Sequence, residues 1–490
     1  MRKIWLALGV AGVLIMVGLA TDRADGPEKR DRAAAEKRFQ RGLEHLFAFQ
    51  YPQAEQELGT AMELDPEHAM AATALAELAR RLGRDDAYEP ALQRADSLAT
   101  RTDDRRLRVL TQLWLSNHPL SRFRDDQDSL LALAQETDSL HLLVLQTRAG
   151  GADRDGDTAE VERLWRRLLE AHPNHAGAYN HLGYIALYRG RYDEAVSLMR
   201  KYAFIAPDLA NPHDSLGEVL MIIGRFDEAE DEFRRALAKQ PDFFYSILNL
   251  GRLFLARGQL DEGVALLEEL RRQTEGTAIA RQVDQVLIET YFVNRLMSDL
   301  ERACRQYVSN YPDDDSSAYY RAMILVARRP QEAQAVMDSA VTAWREQPKY
   351  QESSYRVRVE TARERFAGVA AELRGDWAEA ARKWQSILER EAHLPEHQRR
   401  YARERLATAF LELGRPAESL EQLQPVLEVN ASLPYPLLAA ARAHLALDQP
   451  EQARRYLPAL EKAVARADPD FPLRQAAEEL RQSLGEAPPP

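Results

Sequence analysis

Apolar positions recur along most of the chain at steps of three and four residues, the spacing that lines them up on one face of a helix. Tyr179, Leu182, Gly183 and Ala186 form one such stripe, and Ala195, Met199 and Tyr202 form the next, so each stretch predicts a short helix. Gly190 stands between them, where a residue without a Cβ suits a left-handed helix end. Asp193 and Glu194 open the second stripe, at the helix end whose dipole favours carboxylates. Pro207 then closes the unit because it cannot continue a helix. No useful length of this region alternates with period two, which leaves no place for a strand-bearing catalytic domain.

The two-helix pattern repeats. Leu182-Gly183 returns as Leu216-Gly217 and as Leu250-Gly251, each 34 residues further on. Gly190, Gly224 and Gly258 keep the same step, as do Pro173, Pro207 and Pro241. The turns Tyr192-Asp193-Glu194-Ala195, Phe226-Asp227-Glu228-Ala229 and Leu260-Asp261-Glu262-Gly263 also match. So many positions at one period signal stacked supersecondary units.

This pattern resembles the tetratricopeptide repeat family, whose unit is a 34-residue helix-turn-helix. The resemblance is strongest over residues 176–243. It continues through residues 35–68, with Gly42, Tyr51, Ala54, Leu58, Ala61 and Pro66, and through residues 69–100, with Leu75, Ala76, Gly83, Leu92 and Ala95. Gly375, Trp377, Ala380 and Trp384 repeat the turn and second helix, as do Leu406, Ala407, Gly414, Ser419 and Leu423. Leu300, Cys304, Tyr307 and Pro312 look like a degenerate copy, and residues 434–466 like another. Residues 101–141 and 313–350 fit poorly and are expected to be kinked or atypical pairs; in the second, Arg328-Arg329-Pro330 replaces the turn glycine. The resemblance implies an all-α, right-handed superhelical solenoid of about eleven helical pairs over residues 35–468. Residues 469–484 are expected as a capping helix and residues 485–490 as a disordered, Pro-rich tail.

The N-terminus has a different character. After Arg2 and Lys3, residues 4–20 form an uncharged apolar run of 17 residues. That is the short end of what spans a bilayer, about 17 to 25 residues, so residues 1–20 are expected as a transmembrane anchor, with a cleaved signal peptide as the alternative. Residues 21–34 read as a charged linker. Arg2 and Lys3 resemble an export signal, although Arg23, Lys29, Arg30 and Arg32 pull the other way. The expected location is therefore the cell membrane of a bacterial-type anchored protein, single-pass, with the repeats in the periplasm. Release after signal cleavage is the alternative.

Composition narrows the function. Among 490 residues, 65 Lys and Arg face 77 Asp and Glu, a net charge of −12 that excludes a predominantly basic nucleic-acid binder. One cysteine permits neither an intramolecular disulfide nor a Cys-rich zinc cage. Asp153, Asp155 and Asp157 alternate like calcium ligands, but Thr158 and Leu164 occupy the positions that require Gly and Glu. His172, His175 and His181 lack metal-motif spacing and read as structural, and Cys304 reads as a core thiol. Asp313-Asp314-Asp315 reads as an acidic helix start, and the arginine pairs as solvated faces. No catalytic residue, metal or cofactor is assigned.

The resemblance implies that the first helices line a concave binding surface. Its expected lining is Asn180, Tyr184, Asp214, Glu218, Asn249 and Arg252, suited to a peptide or a partner helix. Asn249 and Arg252 match in type part of a carboxylate clamp used by some family members, whereas Asn180, Tyr184, Ser215 and Glu218 do not. The expected function is a non-catalytic scaffold or adaptor for a protein partner, tethered to the membrane. A ligand-sensing module signalling to a membrane partner is the alternative, and self-association is compatible with either.

Overall fold

The computed structural model describes residues 27–486 apart from 48–50, 83, 119, 139–143, 146, 150–151, 153–156, 172, 174, 295, 313, 327 and 348–352. The apolar run over residues 4–20 lies outside the described residues, as do residues 21–26 of the expected linker, Asp153, Asp155, Asp313, His172 and most of the tail. Among the described residues no helix is long and apolar enough to cross a membrane. There is no strand among them either; the chain is an all-α helical repeat.

The chain divides into two compact units, Met1–Leu187 with Arg191–Ser215, and Tyr188–Gly190 with Leu216–Pro490. The first contains α1 (Pro27–Phe47), α2 (Tyr51–Leu64), α3 (Ala69–Leu82), α4 (Asp85–Arg101), α5 (Arg105–Leu115), α6 (Gln127–Asp138), α7 (Thr158–Ala171), most of α8 (Ala176–Tyr188), and α9 (Tyr192–Ile205). α10 (Ala210–Ile222) starts in the first unit and ends in the second. The second continues with α11 (Phe226–Lys239), α12 (Phe244–Ala256), α13 (Leu260–Gln273), α14 (Ala278–Val293), α15 (Met297–Asn310), α16 (Asp315–Val326), α17 (Pro330–Glu346) and α18 (Ser353–Leu373). It closes with α19 (Trp377–Arg390), α20 (Glu396–Glu412), α21 (Pro416–Val429), α22 (Pro434–Ala446), α23 (Pro450–Arg454), α24 (Leu457–Val464) and α25 (Pro472–Ser483). α1 begins inside the stretch expected as linker.

In the first unit, α1 packs on α2 and α3 on α4. The helices approach closely where a glycine faces a large side chain: a Cβ at Gly183 would stand 2.7 Å from Met199 Cε. The atypical stretch after α4 is tied down by polar bonds instead of the repeat signature. Asp104 caps α5 by accepting from the Leu107 amide at 2.9 Å, and buried Asp96 accepts from Ser121 Oγ at 2.8 Å.

The second unit uses the same glycine device at Gly217 against Phe233, Gly251 against Leu267 and Gly368 against Trp384. Gly224 and Gly258 have φ of +81° and +79°, the left-handed geometry expected of the turns. Where the glycine is missing, α17 starts at Pro330 with Arg329 at φ −142°, so that turn avoids the left-handed region. The last repeat takes a third route. Asp448 adopts φ 57°, and the second helix breaks into α23 and α24. First helices also touch the first helix of the following pair, α12 with α14, α16 with α18 and α20 with α22.

One feature of the second unit has no counterpart in the repeat pattern. Its C-terminal part returns to the turns that follow α10 and α12, through residues 207 to 209 positions apart in the chain.

Candidate functional site

The inner face of the second unit is built from α14, α16, α18 and α20, each the first helix of its pair. α16 presents Tyr319 and Tyr320, whose rings meet edge to face at 5.5 Å; Tyr319 also meets Phe366 of α18 at 6.0 Å. Tyr320 rests on Tyr307 at 4.5 Å, and Tyr401 of α20 stands edge-on to Trp384 at 5.5 Å. Such edge-to-face pairs are favoured by the ring quadrupole and hold the tyrosines by their apolar bodies. Tyr307, Phe366 and Trp384 are buried, whereas Tyr319, Tyr320 and Tyr401 are only half-buried, so surface is left for a partner.

The same face carries charge. Glu289 of α14 is exposed, and Arg365 of α18 pairs with buried Glu391 at 2.9 Å. Burial raises the Tyr319 and Tyr401 hydroxyls above their ordinary range; Glu289 adds to both shifts and Arg365 opposes both. Four residues from four helices therefore share one electrostatic environment. Burial also raises the carboxyl of Glu404 despite Arg400 at 3.5 Å, with Glu289 adding to the shift. The tyrosines stay protonated and can donate as well as accept hydrogen bonds.

His397, at the start of α20, meets Tyr188 at 6.1 Å. Burial pushes its imidazole down from 6.5 to about 4, and burial with Glu218 pushes Tyr188 up to about 12. Because folding disfavours the protonated imidazole, the His397 contribution to stability is complete above pH 6.5 and shrinks as pH falls towards 4. Thermal unfolding at pH 7 and pH 5 is expected to show a smaller acid loss of Tm in His397→Gln than in the unaltered chain.

The six residues read from the sequence divide between the units. Asn180, Tyr184 and Asp214 belong to the first, and Glu218, Asn249 and Arg252 to the second. Asn180, Asp214 and Asn249 are buried, Tyr184 and Glu218 are half-buried, and Arg252 is exposed. Tyr184 reaches Ser215 at 3.4 Å. Both amide atoms of Asn180 are buried without a hydrogen-bond partner among the described residues. The Glu289, Tyr319, Arg365 and Tyr401 face was missed. Its signal was the tyrosine and charge content of consecutive first helices, of which only the one carrying Tyr319 lies in a stretch read as atypical.

The other candidates have structural explanations. His175 Nδ1 accepts from the Ala178 amide at 2.9 Å and caps α8, while His181 stacks on Trp165 at 4.1 Å. Asp314 accepts from the Ser316 amide at the start of α16. Cys304 is buried, and burial pushes its thiol up to about 12, which keeps it protonated and unreactive at neutral pH. Among the described residues no group of three or more His, Cys, Asp or Glu is placed to hold a metal ion.

Comparison with known proteins adds the family of the repeats. No curated protein matches the chain. Similar solved structures include an O-GlcNAc transferase mutant from Thermobaculum terrenum, 26% identical over 27% of this chain, with a TM-score of 0.25. The match spans 26% of that transferase chain. MamA is 18% identical over 34% of this chain and 94% of its own, with a TM-score of 0.29. The APC/C hetero-tetramer Cut9-Hcn1 is 12% identical over 94% of this chain and 85% of its own, with a TM-score of 0.40. Family models described as tetratricopeptide repeat match residues 151–210 and 220–282, and over those residues the chain carries tetratricopeptide repeats.

Proposed function

We propose that the chain is a non-catalytic scaffold that binds a partner protein, as an extended peptide or a helix, on the inner face of its second unit. The observation that carries this reading is the face itself. Tyr319 and Tyr401 are held by their ring edges, with Glu289 and Arg365 acting on both. Rigid tyrosines offer contact area and hydrogen bonds at little conformational cost, which suits a peptide backbone and its side chains. Tetratricopeptide repeats generally mediate protein–protein interaction, in keeping with this reading. Residues 1–20 would tether the scaffold to the cell membrane, with the repeats in the periplasm, and so raise the local concentration of a partner there.

The test is crosslinking of the full-length chain in its native membranes, followed by identification of retained proteins. A reproducible partner is expected with the unaltered chain, and its recovery is expected to fall sharply in Glu289→Ala/Tyr401→Phe. Undiminished recovery in that variant would move the binding surface elsewhere, and no partner above background would overturn the scaffold reading.

A further inference from the structure

The return of the C-terminal part onto earlier turns of the second unit is made mainly of helix-end chemistry. Asn430, which follows α21, donates its Nδ2 to the Ile222 carbonyl at 3.1 Å and more weakly to Met221 at 3.4 Å. These are the last carbonyls of α10, which have no donor within their own helix; that of Met221 also accepts from the Gly224 amide at 3.2 Å. At α13 the converse holds. Gln259, the residue before the helix, makes no side-chain cap, and Asp468 Oδ2 instead accepts from the Asp261 amide at 2.9 Å. The Asp468 amide donates in turn to the Gly258 carbonyl at 3.0 Å. One helix end and one helix start are thus capped by residues about six repeats away.

The turns are shaped to receive this segment. A Cβ at Gly224 would strike Asn430, and one at Gly258 would stand 2.5 Å from the Phe471 ring. Between the two turns, Glu230 accepts from Arg234 and Arg466, both at 2.8 Å, and pairs with Arg257; burial pushes its carboxyl up, but the three guanidinium groups together outweigh this and hold it down at about 2. The ion pair with Arg466 therefore persists throughout the physiological pH range. Phe471 and Ala467 also pack into an apolar cluster of the C-terminal helices with Leu457, Leu460, Leu480 and Leu484. Separation from the turns would leave most of that cluster assembled. The freed carbonyls and amides would meet water, and the main apolar loss would be Leu260, which packs against the cluster from α13.

We propose that residues 430–471 form a latch that closes the second unit on itself and gates access to the inner face carrying Glu289, Tyr319, Arg365 and Tyr401. Latched, the repeats from α10 to α24 form a closed circuit, and a partner reaches the inner face only from its ends. Unlatched, the face opens along its side. The importance of the gate for binding rests on the proposed function, but the gate itself is measurable without any partner.

Glu289→Cys places a thiol on the inner face, and the native Cys304 is buried with its pKa raised to about 12, so maleimide labelling reports the new site. Two reagents are compared, a small maleimide and a maleimide on a long polyethylene glycol chain. Each is applied to the full chain with the native latch and to the same chain with Asn430→Ala/Arg466→Ala/Asp468→Ala. The small reagent is expected to label both at similar rates. The polymer reagent is expected to label the latch variant at least roughly tenfold faster, since loss of one cap alone shifts the open population by about that much and the variant removes two caps and an ion pair. Faster exchange of the residue 468 amide, whose bond to the Gly258 carbonyl none of the substitutions removes, is expected to accompany it, with helical circular dichroism retained. Equal polymer labelling despite that faster exchange would overturn the gate, and unchanged exchange at residue 468 would overturn the latch. Either labelling result stands independently of whether a partner is recovered by crosslinking.

Discussion

Replacing Arg405 with Met is expected to lower the stability of the second unit by about 3–5 kcal/mol, measured by urea unfolding. The reason is the company that Arg405 keeps. Its side chain is 8% exposed and that of its partner Glu372 is 3% exposed, so neither charge is shared with bulk water. Arg405 Nε donates to Glu372 Oε1 at 3.1 Å, and Trp384 Nε1 donates to the same oxygen at 2.6 Å. The guanidinium also lies 5.0 Å from the centre of the Phe292 ring. Methionine fills much of the volume but leaves a buried carboxylate with one neutral donor, the arrangement whose desolvation is costliest. Adding Glu372→Gln removes that charge and keeps an acceptor for the indole, so Arg405→Met/Glu372→Gln is expected to recover most of the loss. A loss below about 1 kcal/mol in the single variant would mean that the pair behaves as an exposed salt bridge.

That pair also marks where the sequence stops being informative. Glu372 and Arg405 are 33 positions apart, about one repeat, and each sits among other charges. A helix rich in Arg and Glu reads as a solvated face, and most of its pairs are such, for example Arg382 with Glu379 and Arg415 with Glu418. Nothing local separates this buried pair from the exposed ones, because burial is decided by the next helix pair. The same limit applies to Asn180, Asp214 and Asn249, polar residues that the fold buries. The return of residues 430–471 is harder still to read, since it depends on how a small rotation per repeat accumulates over some 200 residues.

What was legible had a local cause. Gly190, Gly224 and Gly258 adopt φ of +71°, +81° and +79°, a conformation that restricts the choice of residue wherever it occurs. The Leu-Gly pairs were legible for a related reason, since a missing Cβ in a helix lowers propensity and calls for a packing explanation. The partner confirms it. Gly183 faces Met199, Gly217 faces Phe233 and Gly251 faces Leu267, the same relation in three successive repeats.

Those partners differ in stiffness, which turns the shared contact into an expected contrast. A Cβ at Gly217 would stand 2.6 Å from Phe233 Cε1, inside any tolerable separation, and the Phe233 ring is fully buried. A planar ring without room cannot yield by changing rotamer, so α10 and α11 would have to separate. Gly217→Val, with a branched side chain at that contact, is expected to cost about 3 kcal/mol, the upper range for overpacking a core. Gly183→Ala meets instead the end of Met199, at 2.7 Å from Cε, and a thioether chain with three rotatable bonds can move aside. The gain of about 1 kcal/mol in helix propensity then offsets much of the remaining strain. Thermal unfolding of the two variants should therefore show a large loss of Tm for Gly217→Val and a small one for Gly183→Ala. Adding Phe233→Leu to Gly217→Val is expected to restore part of the loss, because a leucine can rotate away from the new methyl groups. Equal losses for the two glycine variants would mean that the helices part readily at either site, and the close approach would then not be what fixes glycine at these positions.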